Sequence, residues 1–153
     1  MSLQGSDLEA RWGPNARFSE KVGGLEVVAL SEPGGDWSSG TVLLELPKNL
    51  TSEPDVGRIA MVRCAAMELA TKVRRGIVFA ATGRVMRESV FLSFSSEEEI
   101  CVLVEGSKIC LGYSTGGHMA TFETFARFEA AEAEQFSEAL FQAQAATYAP
   151  PKS

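Results

Sequence analysis

Any chemistry on this chain has to come from few residues: one histidine, His118, and three cysteines, Cys64, Cys101 and Cys110. His118 follows Gly116-Gly117, and no carboxylate or cysteine is fixed beside it by spacing. A loop histidine is the plain reading, and a general base the sharper one. One His and three scattered Cys make a poor tetrahedral set, so no metal is expected. Cys64 falls on a predicted helix, and Cys101 and Cys110 on a predicted hairpin. All three read as small core residues, because a catalytic thiol would need a base that the spacing does not supply. Phosphate cradles are missing too. Gly34-Gly35 and Gly116-Gly117 have neither GxxxxGK[ST] nor GxGxxG spacing, and no cofactor is expected. The concentrated positive feature is Lys72, Arg74, Arg75, Arg84 and Arg87. It brackets a predicted strand at 77–81 and could gather at one sheet end to meet phosphate or an acidic protein. Complementing a helix dipole is the simpler use of these cations.

Length and composition set the frame for these residues. At 153 residues and 45% hydrophobic, the chain suits one domain with a sizeable core. The net charge of −6 argues against a general nucleic-acid binder. Residues 1–96 hold 11 basic and 11 acidic side chains, so the whole excess lies in 97–153, with 3 basic and 9 acidic. A basic partner could use that face, although a solvated surface explains it as well. No apolar run reaches about 18 residues, so no transmembrane helix is expected, and no charged-then-apolar leader opens the chain. The odd cysteine count fits a reducing compartment, which places the expectation in the cytoplasm. The sequon at Asn49-Leu50-Thr51 is then inert.

The elements that position these residues are organised around 97–113, EEEICVLVEGSKICLGY. Two apolar runs flank Glu105-Gly106-Ser107-Lys108, a hairpin pattern with a tight glycine turn. With Gly106 and Ser107 as turn residues, Val104 faces Ile109 and Leu103 faces Cys110. Cys101, Leu103 and Cys110 share one face; Ile100, Val102, Val104, Ile109 and Leu111 share the other. Neither face is polar, so cover is expected on both sides. Upstream, 25–30 (LEVVAL) and 41–46 (TVLLEL) predict two paired strands, with Trp37 near the tip of the loop between them. A helix is predicted over about 55–75, started by Thr51-Ser52-Glu53-Pro54 and closed by Gly76. Strands follow at 77–81 and 88–95. The last section can be read as one long helix over 119–148, but the alternation over 120–128 favours a split into a strand at about 119–128 and a helix at about 130–148. Residues 1–23 read as a flexible segment with a short helix near 7–12, 24–148 as the domain, and 149–153 as a free tail. The fold class is α+β: a mainly antiparallel sheet of five to seven strands with one crossing helix.

The order strand–strand–helix–strands–helix resembles the roadblock/dynein light chain family, and more loosely profilin- and longin-like folds. The residues carrying the likeness are 99–112, EICVLVEGSKICLG, similar to that family's late hairpin, and 24–36, GLEVVALSEPGGD, similar to its first strand and turn. The resemblance implies a non-enzymatic adaptor or regulatory subunit, a homo- or heterodimer that binds a small GTPase or a motor or scaffold complex. The alternative is a pleckstrin-homology-like seven-stranded sandwich with a C-terminal helix, binding phosphoinositide or peptide through the basic cluster. Apolar cover also points to a dimer. The narrow stripe of the last helix leaves a sheet face unfinished, and Trp37, Phe125 and Phe141 are the interface candidates.

Overall fold

The computed structural model describes residues 5–31, 40–46, 57–93, 97–114 and 122–148. Helix α1 (Gly5–Trp12) leads into strands β1 (Ala16–Val22), β2 (Leu25–Leu30), β3 (Thr41–Glu45) and β4 (Arg58–Val62). Helix α2 (Arg63–Ala81) follows β4 without a break. The pattern then repeats: β5 (Met86–Phe91), β6 (Glu99–Glu105), β7 (Lys108–Ser114), β8 (Glu123–Phe128), and helix α3 (Ala130–Ala146). Each set of four strands is an antiparallel meander, in the orders β1-β2-β3-β4 and β5-β6-β7-β8. The fold is therefore α+β, but with eight strands in two sheets among the described residues. It is neither the single five- to seven-stranded sheet that the pattern predicts nor a seven-stranded sandwich closed by one helix.

The helices are exchanged between the sheets. The helix α2 packs mainly on β5, β6 and β7, and α3 on β1, β2 and β3. They also pack on each other, antiparallel. Arg63 at the start of α2 meets Thr147 just past α3, and one turn and more along, Ser137 Oγ donates to the Ala70 carbonyl at 3.0 Å. The inward faces of both sheets and both helices form one continuous core. Leu69 of α2 and Phe136 of α3 are fully buried there, each burial contributing on the order of 1.5–3 kcal/mol.

The hairpin of β6 and β7 has the register read from its sequence, with Val104 opposite Ile109 and Leu103 opposite Cys110. Gly106 takes φ 64° at the turn. Its inward face of Ile100, Val102, Val104, Ile109 and Leu111 is buried under α2. On the outward face, Cys101 is buried while Leu103 and Cys110 are half-buried. The cover there comes from neighbouring side chains, Arg87 and Phe122, which line a 300 Å³ hollow with the two thiols.

Four boundaries differ from the sequence reading. The helix expected over 55–75 starts at Arg63, because 58–62 (RIAMV) alternates with period two: Ile59 and Met61 inward, Arg58 and Ala60 outward. The strand expected at 77–81 is the last turn of α2, and Gly76 lies inside that helix instead of capping it. A β-carbon at Gly76 would meet Val104 Cγ2 at 3.1 Å, so glycine is what lets α2 settle onto the hairpin. Residues 16–22 of the expected flexible segment form β1, whose alternation is interrupted by a bulge between Ala16 and Phe18. The strand expected at 88–95 is β5, Met86–Phe91, which starts two residues earlier; Phe94 lies outside the described residues. The split reading of the last section agrees with β8 and α3.

The outward face of the first sheet is closed by α1. Trp12 Nε1 donates to Glu26 Oε2 at 3.2 Å, and Ser19 Oγ donates to the same oxygen. Arg11 contacts Glu26 Oε1 at 2.9 Å, and the Arg58 guanidinium lies 4.9 Å from the Trp12 ring centre. This anchors a carboxylate that is only 4% exposed and ties the first helix to the second strand.

Two outcomes follow from this packing. Gly76→Val forces branched carbon into the helix–hairpin contact, and stability in urea denaturation falls by about 1–3 kcal/mol. Tyr113 donates to Glu98 at the end of β7. Burial first, and then that hydrogen bond and charge, push its phenol up to about 12 from an ordinary 10. The raised value favours the neutral phenol in the folded state. The stabilisation is thus complete below pH 10 and declines as pH rises from 10 toward 12. Phenolate absorbance reads this directly, and Glu98→Gln lowers the midpoint part of the way, leaving the burial contribution.

Candidate functional site

One side of α2 is buried on the second sheet and another on α3. The remaining side carries Cys64, Met67, Glu68, Thr71, Lys72 and Arg75 at helical spacings of three and four. Together with Gln144 and Tyr148 from the end of α3, this stripe lines an open groove of about 860 Å³. Its surface is mainly apolar around Val62, Cys64 and Met67, and Met67 is 40% exposed. Exposed apolar side chains gathered in a concavity are the usual mark of a binding surface.

The charges along the groove are nearly all matched. Lys72 Nζ lies 2.9 Å from Glu68 and donates to the Ser89 carbonyl at 2.8 Å. Arg75 Nη1 donates to both Glu88 oxygens, at 2.7 and 2.8 Å. Arg63, at the groove's upper end, is different. It is 8% exposed, with Nε donating to Thr147 Oγ1 at 2.6 Å and Nη2 to the Thr147 carbonyl at 2.8 Å. Its guanidinium carbon lies over the Tyr148 ring, 3.9 Å from the ring centre. On another side comes Gly40, where a β-carbon would stand 2.6 Å from Arg63 Nε and 2.5 Å from Thr147 Cβ. The first residue of α2 thus caps the carbonyl end of α3, where a cation is favoured by the dipole. Its Nη1 is buried without a hydrogen-bond partner among the described residues.

The basic residues picked out in the sequence do not converge. Lys72 and Arg75 border the groove and are paired. Arg74 points to α3, donating to Ser137 Oγ and to Glu138 at 3.0 Å. Arg84 lies over Phe79, and Arg87 over Phe122. Of the aromatic candidates, Phe125 is 2% exposed within the chain itself. The bulge where β8 crosses Leu111 and Gly112 skips Phe125 in the register, so Phe125 and Ala126 are both turned inward. Phe141 is half-buried beneath the Arg74 guanidinium, 5.0 Å from its ring centre. Trp37 and His118 lie outside the described residues.

Arg63 was not singled out by sequence. The available signal is its setting: an arginine inside MVRCAAM with an apolar residue four positions on, hence no helical carboxylate partner. Among the described residues no group of three His, Cys, Asp or Glu could hold a metal ion, and no helix is long and apolar enough to cross a membrane.

The thiols differ in their surroundings. Cys64 is exposed in the groove, whereas Cys101 is buried beside Arg87. Burial pushes the Cys101 thiol up, against Arg87, which pulls it down. Alkylation followed by mass spectrometry therefore modifies Cys64 first, Cys110 more slowly, and Cys101 last. No family model matches the chain, and no curated protein or solved structure matches it either.

Proposed function

We propose that this chain is a non-enzymatic adaptor that binds a segment of a protein partner along the outer side of α2. The observation that carries the reading is the groove itself: an open, mainly apolar concavity of about 860 Å³ on a rigid helix. Its lysine and arginine sides are held in place by Glu68 and Glu88. A surface of this kind suits an amphipathic segment, whose apolar side chains take Met67 and Val62 and whose polar ones meet the paired rim. The late hairpin that resembles the roadblock family supports the same class of function. A phosphoinositide site draws less support, because Lys72, Arg74, Arg75, Arg84 and Arg87 are spread over separate faces, three of them paired with carboxylates.

Met67→Glu tests the groove. An exposed substitution of this kind changes stability by no more than about 0.5 kcal/mol. It places a charge in the middle of the apolar stripe. Proteins captured by the native chain and absent from a Met67→Glu capture, at unchanged melting temperature, are those that use the groove. Identical captures from both chains remove this reading.

A further inference from the structure

Among the described residues, Arg63 is the one cation of the groove whose charge is not answered. Its two hydrogen-bonded nitrogens meet only the neutral oxygens of Thr147, and among the described residues no carboxylate pairs with it. Lys72, Arg74 and Arg75 each have one. A buried guanidinium without a counter-anion is unfavourable, and a buried donor left unused calls for a partner. The same end of the groove holds the first turn of α2. Its N-cap, Val62, offers no side-chain acceptor, and no acidic residue stands in that turn. The positive end of this 19-residue helix therefore lies beside Arg63 with no acidic side chain in its own first turn.

From these two features we infer that the upper end of the groove receives one acidic side chain of the partner segment. The carboxylate accepts a hydrogen bond from Arg63 Nη1 and lies against the first-turn amides of α2, while the neighbouring apolar residue rests on Met67 and Cys64. The match is to a single negative charge. Glu68 and Glu88 already neutralise the rest of the rim, so a dianion such as a phosphate would find one unspent positive group where it needs two. The Tyr148 ring covers the guanidinium and is 52% exposed just beyond the last turn of α3. It swings aside when the carboxylate enters. This inference rests on the groove being the partner site, and it names what that site recognises.

The exposed thiol of Cys64 provides the readout, as protection from alkylation by iodoacetamide. Three probes are compared on the full chain: a doubly capped apolar heptapeptide with one central glutamate, its glutamine counterpart, and the glutamine peptide with a free C-terminal carboxylate. The glutamate peptide protects Cys64 at concentrations at least about ten-fold lower than the glutamine peptide, the scale of one charge-assisted hydrogen bond. Arg63→Gln abolishes that difference. Because Arg63 also caps α3 and its loss can unfold the chain, Tyr148→Ala is the second variant: it uncovers Nη1, leaves the Thr147 contacts in place, and strengthens protection by the glutamate peptide alone. Equal protection by the glutamate and glutamine peptides overturns the carboxylate inference while leaving the groove as a peptide site. Protection by the free C-terminus alone overturns the assignment to a side chain. Protection by none of the three at millimolar concentration overturns both the inference and the groove reading beneath it.

Discussion

Neither sheet of this chain is covered by the helix that follows it directly. The helix α2 emerges from the first sheet and covers the second; α3 emerges from the second and covers the first. A four-stranded meander with one apolar face cannot stand in water without a layer over it. Each half therefore depends on the other for the burial that holds it together. The contact between the two helices is where these dependencies meet, and it is polar as well as apolar: Ser137 bonds the Ala70 carbonyl, and Arg63 closes the end of α3 through Thr147. Gly76 and Gly40 are two positions at which neighbouring elements come close, one against the hairpin and one against the Arg63 guanidinium.

The groove is a by-product of that arrangement. A helix gripped by a sheet on one side and a second helix on another has one long side left over. On α2 that side keeps its apolar residues near the start and its charges farther along. The ion pairs with Glu68 and Glu88 fix Lys72 and Arg75 more than they stabilise the fold, since exposed pairs contribute little. The buried guanidinium at the upper end is another matter, because it is held by the helix exchange itself.

Much of the architecture was legible where a short-range constraint decided it. The two-residue turn at Gly106-Ser107 set the register of β6 and β7 down to which side chains face each other, and the run from Ala130 showed its helical period through Ala133, Phe136 and Leu140. Reading failed where two periods overlap or where distance decides. In 58–73, Ile59, Val62, Ala66, Leu69 and Val73 mimic one helical stripe, yet Ile59 belongs to β4 because pairing with β3 claims it. Gly76 looked like a helix end, since nothing local shows that Val104 and Ile109 press against it. Phe125 looked misplaced because a single bulge shifts the phase of its strand. The groove escaped for a similar reason: its two walls, α2 and the end of α3, are about 80 residues apart along the chain, as Arg63 and Thr147 show.

The exchange also has a consequence for how the protein is made. The first strand, β1, is shielded by α3, the last helix of the described chain. During synthesis, then, Leu25, Val27, Leu44 and their neighbours stay without their cover until α3 has left the ribosome. A nascent chain stalled after Ala81 has four strands and a helix, but that helix has no second sheet to lie on. Emergence of the seventeen-residue helix α3 is what converts an aggregation-prone meander into a covered sheet, so the meeting of distant elements, more than any local step, times its maturation.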